Sequence, residues 1–95
     1  MEKKDFEAVI GKRFTVKSGS EVVELSLVSV DPLKRIEGLE NVREEPFSLV
    51  FKGPEDAHLE DNSYEMSVEG GGDKVIFISA HRKDNQHIYY DAVFN

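Results

Sequence analysis

The sequence predicts an all-β fold of about six antiparallel strands, arranged as a small sandwich or barrel with a short N-terminal helix. Short segments of alternating apolar and polar residues are separated by glycine, proline and acidic clusters, as in strands joined by turns. With 95 residues and 39% hydrophobic content, the chain suits one domain with a single core. In the clearest segment, 46–52, Phe47, Leu49 and Phe51 share one face, so other strands must cover them.

Residues 5–10 predict a short helix. Asp5 can cap its first turn, and Gly11 suits the left-handed conformation that often follows a helix. The apolar face of this helix comprises Phe6, Val9 and Ile10. Because so short a helix is unstable alone in water, we expect it to pack on the strands and close an open end of the sheet.

The predicted strands lie near residues 12–17, 21–30, 46–52, 64–69, 74–80 and 87–94. In the second strand the apolar residues change parity near Leu27 and Val28, which predicts a β-bulge. The Gly53–Pro54 pair is expected to end the third strand. Gly70, Gly71 and Gly72 predict a hairpin turn between the fourth and fifth strands, because glycine readily adopts the required positive φ.

The segment 31–45 predicts a loop longer than is usual in a compact domain. Such a loop is either functional or mobile, and if functional it is a candidate wall of a binding site. We expect it to contact the core through Leu33, Ile36 or Leu39.

Composition excludes several classes of function. The net charge is −7 and the basic residues are scattered, so neither nucleic acid nor an anionic membrane is an expected partner. The absence of cysteine excludes disulfides, zinc–thiolate sites and thiol nucleophiles. No apolar run approaches the ~20 residues of a membrane span, and no apolar signal core follows the N-terminus. We therefore expect a cytoplasmic location by default.

The second loop, 53–63, is acidic and is expected to be anchored in the core by Leu59. It places His58 among the carboxylates of Glu55, Asp56, Glu60 and Asp61. Oxygen ligands of this kind can bind a divalent cation, but the spacing does not match an EF-hand loop. We therefore predict a solvated acidic loop with no metal and no cofactor.

His81 and His87 flank a predicted polar turn, 81–86, and could face each other across a hairpin. A zinc site would need a third ligand from Asp84 or Asp91, so we predict two exposed histidines instead. The triple glycine precedes a strand, whereas a phosphate-binding loop precedes a helix. No serine lies in a nucleophile motif, so no catalytic residue is predicted and the enzyme question stays open.

Several segments together resemble a bacterial family of small all-β domains of unknown function. They are Phe6 with Ile10–Gly11 and Phe14–Val16, the motif Glu45-Pro46-Phe47-Ser48-Leu49-Val50-Phe51-Lys52-Gly53-Pro54, Tyr64, and the terminal Tyr90-Asp91-Ala92-Val93-Phe94-Asn95. Asp91 stands where the family pattern has Glu. Members are often encoded near phage-tail-collar-like proteins, which implies a role in assembling a tail-like or surface structure. The resemblance assigns no catalytic residue.

Val50 and one parity of the strands 74–80 and 87–94 are apolar on a second face, where Tyr89 and Val93 stand out. Either the N-terminal helix and the loop 31–45 or a partner must cover that face. Our first hypothesis is a non-enzymatic protein-interaction or assembly factor that uses this face and an exposed strand edge, binding a protein partner or itself.

The alternative is a small-ligand-binding or hydrolytic domain. Its site would lie between the loops 31–45 and 53–63, and it would bring together Arg43, Glu45 and His58. This alternative predicts a concave pocket between the two loops.

Overall fold

The computed structural model describes residues 2–33 and 46–94, which form a closed barrel of six antiparallel strands with a short helix. In chain order the elements are α1 (Lys3–Glu7), β1 (Arg13–Ser18), β2 (Glu21–Pro32), β3 (Phe47–Pro54), β4 (Asn62–Val68), β5 (Gly72–Lys83) and β6 (His87–Phe94). The all-β prediction is confirmed. Of the two arrangements that the sequence left open, the barrel is the one that forms.

Around the barrel the strands follow the order β1-β2-β3-β6-β5-β4. β1, β2 and β3 pair in sequence as a meander, and β4 returns to pair with β1. The resulting order β4-β1-β2-β3 is that of a Greek key. β6 pairs with both β3 and β5 and closes the circle. Each of these six strands therefore has a neighbour on both sides, so no whole strand presents a free edge.

The predicted bulge in β2 is confirmed. The register with β3 shifts between the pairs Leu27–Phe51 and Ser29–Val50, which leaves Val28 as the extra residue. Such a bulge bends the strand and lets it follow the curve of the barrel. β2 continues to Pro32, and the Leu33 N–H then donates to the Pro46 carbonyl at 2.9 Å. Leu33 is half-buried, while Ile36 and Leu39 lie outside the described residues.

Gly53 does not end β3 as predicted. It is buried within the strand and pairs with Ile88, and Pro54 pairs with His87. A Cβ atom at position 53 would lie 2.6 Å from the Leu25 Cδ2 atom, so glycine is needed for close packing of β3 against the core. The sequence pattern could not distinguish this use of glycine from a strand terminator.

Helix α1 spans Lys3–Glu7 rather than residues 5–10. Asp5 does not precede the helix; it lies inside the first turn, where its carboxylate accepts the Glu2 N–H at 2.8 Å. The helix ends before Ile10, which is 47% exposed, so the predicted apolar face does not form in full. Among the described residues, no helix combines the length and the apolar character needed to cross a membrane.

Phe6 carries the contact between α1 and the barrel. Its ring centroid lies 5.7 Å from that of Phe47 and 5.3 Å from that of Phe94, and its side chain is buried. These two residues form the register pair where β3 begins and β6 ends. The helix therefore closes this end of the barrel, in line with its predicted role.

At the opposite end, the segment between β3 and β4 folds over the barrel. Leu59 is buried, in agreement with its predicted role as an anchor. The buried Tyr90 hydroxyl accepts the Leu59 N–H at 3.1 Å and lies 3.5 Å from the Ala57 carbonyl. Burial raises the pKa of the Tyr90 hydroxyl above its ordinary value of 10.0. The inner face of β6 thus holds this loop in place.

β5 is longer than predicted and includes the first half of the expected polar turn, residues 81–83. Arg82 pairs with Tyr89 and Lys83 with Ile88, after a register shift between Ala80 and Arg82. The residual turn is held by Asp84, whose Oδ1 atom accepts the N–H groups of both Gln86 and His87 at 2.8 Å. Residues 81–83 are exposed and polar, so the sequence did not distinguish them from a turn.

β4 begins at Asn62 rather than at Tyr64. Asn62 pairs with Ile78 and Ser63 with Phe77, so two polar residues extend the ladder beyond the alternating segment. The Tyr64 side chain is half-buried, and its hydroxyl donates to the Glu60 carbonyl at 2.7 Å.

Candidate interaction surface

The predicted interface residues lie on the outer face of the barrel, on the adjacent strands β3 and β6. Ile88, Tyr90 and Ala92 of β6 point into the core, so the residues between them point outward. In the register with β3, Val50 is opposite Asp91, and Tyr89 and Val93 lie two positions to either side of Asp91. The structure therefore brings Val50, Tyr89 and Val93 to one face.

Large apolar side chains on this face are exposed. Val93 is 58% exposed, and on β5 Phe77 is 56% and Val75 72% exposed. Val50 is half-buried between its neighbours. We call Val50, Val75, Phe77 and Val93 the outer apolar surface.

Phe77 and Val75 were not singled out from the sequence. They belong to the apolar run from Val75 to Ile78, in which either parity could have faced the core. The structure buries Ile76 and Ile78 and leaves the other two outside. The available signal was the outward position of Glu65 and Ser63 on β4, but their register with β5 follows from the tertiary structure.

Tyr89, the third predicted interface residue, is half-buried and has contacts within its own chain. The Arg82 guanidinium lies 4.0 Å from the centroid of its ring, and the His87 ring stands at 6.2 Å. The backbone N–H groups of Gln86 and His87, followed by the nearby Tyr89 hydroxyl, lower the pKa of Asp84 below its ordinary 3.8. Tyr89 thus belongs to a local polar cluster at one end of the surface.

The two histidines of the considered zinc site have separate partners. His81 Nδ1 lies 3.0 Å from Asp91 Oδ2 on the outer face. His87 instead contacts Tyr89, and its backbone N–H donates to Asp84. Within residues 2–33 and 46–94, no group of three or more histidine, aspartate or glutamate side chains could hold a metal ion.

His58 lines a surface cavity of about 350 Å³ beside the loop that follows β3. The other lining residues are Glu55, Ala80, His81, Arg82, Lys83 and Ile88. Arg43 and Glu45, its predicted companions, lie outside the described residues. Of the second predicted loop, residues 55–61 connect β3 to β4, whereas 53–54 belong to β3 and 62–63 to β4.

A comparison with protein families shows to which family this chain is related. The model of a family described as a domain of unknown function (DUF6916) matches residues 1–94. The chain belongs to this family. Membership agrees with the sequence resemblance to a small domain of unknown function, whereas a bacterial origin and a link to tail-like structures stay predictions. Comparisons with curated proteins and with solved structures find no match.

Proposed function

We propose that this DUF6916 domain is a non-enzymatic interaction module that binds a partner protein through its outer apolar surface. The observation that carries the proposal is the exposure of Val75, Phe77 and Val93, each more than half accessible, on neighbouring strands. Grouped apolar side chains on a small domain favour a protein contact, and aromatic residues often carry much of the binding energy.

The chain's own helix does not account for this surface. Phe6 inserts at the end of the barrel between Phe47 and Phe94, and Val9 packs against the same core. The outer face of β5 and β6 keeps its exposure in the presence of the helix. A partner protein would remove these side chains from water at about 25 cal/mol per Å² of apolar area.

The family resemblance suggests which kind of partner to look for. If members are encoded near phage-tail-collar-like proteins, the partner is a component of a tail-like assembly, and this domain acts as an assembly or accessory factor. The support for this finer proposal is the resemblance in sequence, and the exposed surface supports the interaction itself.

Affinity capture with matched variants tests the proposal. Val93→Glu and Tyr89→Glu place a charge on the proposed face, whereas Val22→Glu places one at a valine that is 63% exposed beside Lys17 on β1. We expect the same native-host proteins to be captured by wild type and Val22→Glu and to be lost with Val93→Glu. Equal capture by all variants, with each shown to be folded, would contradict the proposal.

A second candidate is a small-ligand site in the cavity at His58. The specific observation is that His58, His81, Arg82 and Lys83 line one cavity of about 350 Å³. A titration with small carboxylate and phosphate compounds, followed by backbone NMR shifts, tests it. Shifts confined to the cavity and abolished by His58→Ala would favour this function, and shifts at Val93 would not.

A further inference from the structure

The ladder between β5 and β6 ends well before the two strands do. Its last pair toward the helix end of the barrel is Ser79–Asp91. β5 nevertheless extends back to Gly72, and β6 extends on to Phe94. Beyond the last pair, β5 stays paired with β4 and β6 stays paired with β3. We call this opening, between residues 75–78 of β5 and 92–94 of β6, the seam.

Backbone polar groups of β5 point into the seam. The Ala80 N–H donates to Asp61 Oδ1 at 2.9 Å, on the β4 side of the strand. Because successive residues of a strand direct their N–H and C=O groups to opposite sides, those of Ser79, Phe77 and Val75 point toward β6. Ser79 uses this side to pair with Asp91. Phe77 and Val75 continue the same edge without a register partner on β6.

The same residues carry the exposed side chains. Phe77 and Val75 on one side of the seam and Val93 on the other belong to the outer apolar surface. The inward residues Ile76, Ile78 and Ala92 are buried, so the interior stays closed at the seam. This combination of an unpaired strand edge and flanking apolar side chains is the one that binds an added β-strand.

The charged side chains beside the seam are acidic. They are Glu65 on β4, Asp73 on the part of β5 before His81, and Asp91 near the end of β6, all at outward positions. Glu65 lies opposite Val75 in the β4–β5 register. The neighbouring cation Lys74 turns back to the Gly71 carbonyl. An occupant with lysine or arginine next to its apolar residues would therefore be electrostatically complementary.

We propose that the seam binds an extended segment of a partner protein, in which apolar residues alternate with lysine or arginine, by β-strand addition to β5. This inference rests on the proposed function and specifies its binding mode. Main-chain hydrogen bonds to Val75 and Phe77 hold the segment. Because successive side chains of a strand point to opposite faces, its apolar residues face inward, toward Ile76, Ile78 and Ala92. Its lysine or arginine side chains face outward, where their aliphatic parts pack on Phe77 and Val93 and their charges lie near the acidic side chains. A second copy of this chain is a poorer occupant, because it would bring Glu65 and Asp73 close to their own counterparts.

A short synthetic peptide alternating valine with lysine is the probe. We expect it to bind wild-type protein and to slow hydrogen exchange at the amides of Val75, Phe77 and Val93. The same peptide N-methylated at the residues that face β5 has lost those hydrogen bonds, and we expect about tenfold weaker binding. The peptide N-methylated at the other residues is the matched control, and we expect it to retain its affinity.

Two protein variants complete the test. Phe77→Pro removes an N–H that points away from β4, so it spares the β4–β5 ladder and should weaken peptide binding about tenfold. Phe77→Val keeps the N–H and controls for the loss of the ring. Folding of both is checked by circular dichroism, and the N-methylated peptides give an independent answer should Phe77→Pro fail to fold.

Three results would overturn the strand-addition proposal. The first is equal affinity for both N-methylated peptides, and the second is equal binding of a valine–glutamate peptide. The third is a homodimer in light scattering that Phe77→Pro abolishes, because the occupant is then a second copy. If Val93→Glu loses the host partner while Phe77→Pro keeps it, the proposed function stands and the seam is not its binding mode.

Discussion

β6 pairs very differently with its two neighbours. Its register with β3 runs from Phe47–Phe94 to Pro54–His87, the full length of both strands. Its register with β5 runs only from Ser79–Asp91 to Lys83–Ile88 and includes an irregularity. The β3–β6 ladder therefore joins the core side chains of both strands, whereas the β5–β6 ladder leaves apolar residues beside an opening. We therefore expect the β3–β6 ladder to contribute more to the stability of the fold and the open part of β5–β6 to bind partners.

The largest expected effect on stability is at Phe51, in the β3–β6 ladder. Phe51 of β3 is fully buried, with its ring centroid 5.1 Å from that of Phe14, so Phe51→Ala should cost about 3–5 kcal/mol of unfolding free energy. Urea denaturation measures this loss. If the slope of the unfolding free energy against urea concentration equals that of wild type, the two proteins unfold in the same transition. A loss below about 1 kcal/mol would mean that this ladder does not carry the core.

The next effect concerns Gly53, where β3 lies closest to the core. Gly53→Ala places a Cβ atom 2.6 Å from Leu25 Cδ2, and Leu25 is fully buried and cannot move aside without repacking. We expect a loss of about 1–3 kcal/mol in urea denaturation. In the double variant Gly53→Ala/Leu25→Val, the measured loss of unfolding free energy should be smaller than the sum of the losses in the two single variants. Strict additivity would show that the two positions are not in contact.

A smaller, pH-dependent effect concerns Asp84, which holds the turn joining β5 to β6. Its pKa is below the ordinary 3.8 in the folded state, because backbone N–H groups stabilise the carboxylate. The contribution of ionised Asp84 to the stability of the fold is therefore present above pH 3.8. It is lost as the pH falls through the lower pKa that Asp84 has in the folded state. Asp84→Asn should lower the melting temperature at neutral pH and have less effect well below pH 3.8.

The exposed Asp56 of the preceding loop supplies the control for Asp84. Asp56→Asn removes the same charge without affecting the turn between β5 and β6. An equal response of the two variants at every pH would show that Asp84 acts through net charge rather than through its hydrogen bonds to Gln86 and His87.

The smallest expected change in stability is at Phe77, which is 56% exposed on the open ladder. Phe77→Ser should alter the unfolding free energy by no more than about 0.5 kcal/mol. In wild-type protein, the amides of Phe77 and Val75 should exchange with solvent faster than that of Ser79, where the ladder begins. Equal protection at all three would show that the seam is closed in solution.

Patterns within one segment predicted much of the fold. The alternation of Phe47, Leu49 and Phe51 identified a strand with one buried face, and the change of parity at Leu27–Val28 identified the bulge. Both are local consequences of the two-residue period of a strand, so they can be read before any partner strand is known.

Less of the candidate surface could be predicted. Val50, Tyr89 and Val93 were assigned to one outer face, and the β3–β6 register places them together. Phe77 was missed because an apolar run shows no parity, and Arg82, which covers the Tyr89 ring, was expected in a turn. The pairing of His81 with Asp91 also requires the bulge in β5, which has no signal in the sequence.

The sequence alone established an acidic all-β domain without cysteine, its strand-forming segments and the aromatic residues that fill its core. Closure into a barrel, the burial of Gly53 inside β3 and the early end of the β5–β6 ladder depend on the tertiary structure. The reason is physical. A strand's period tells which of its residues share a face, but its neighbours and register are decided by contacts between residues far apart in the chain.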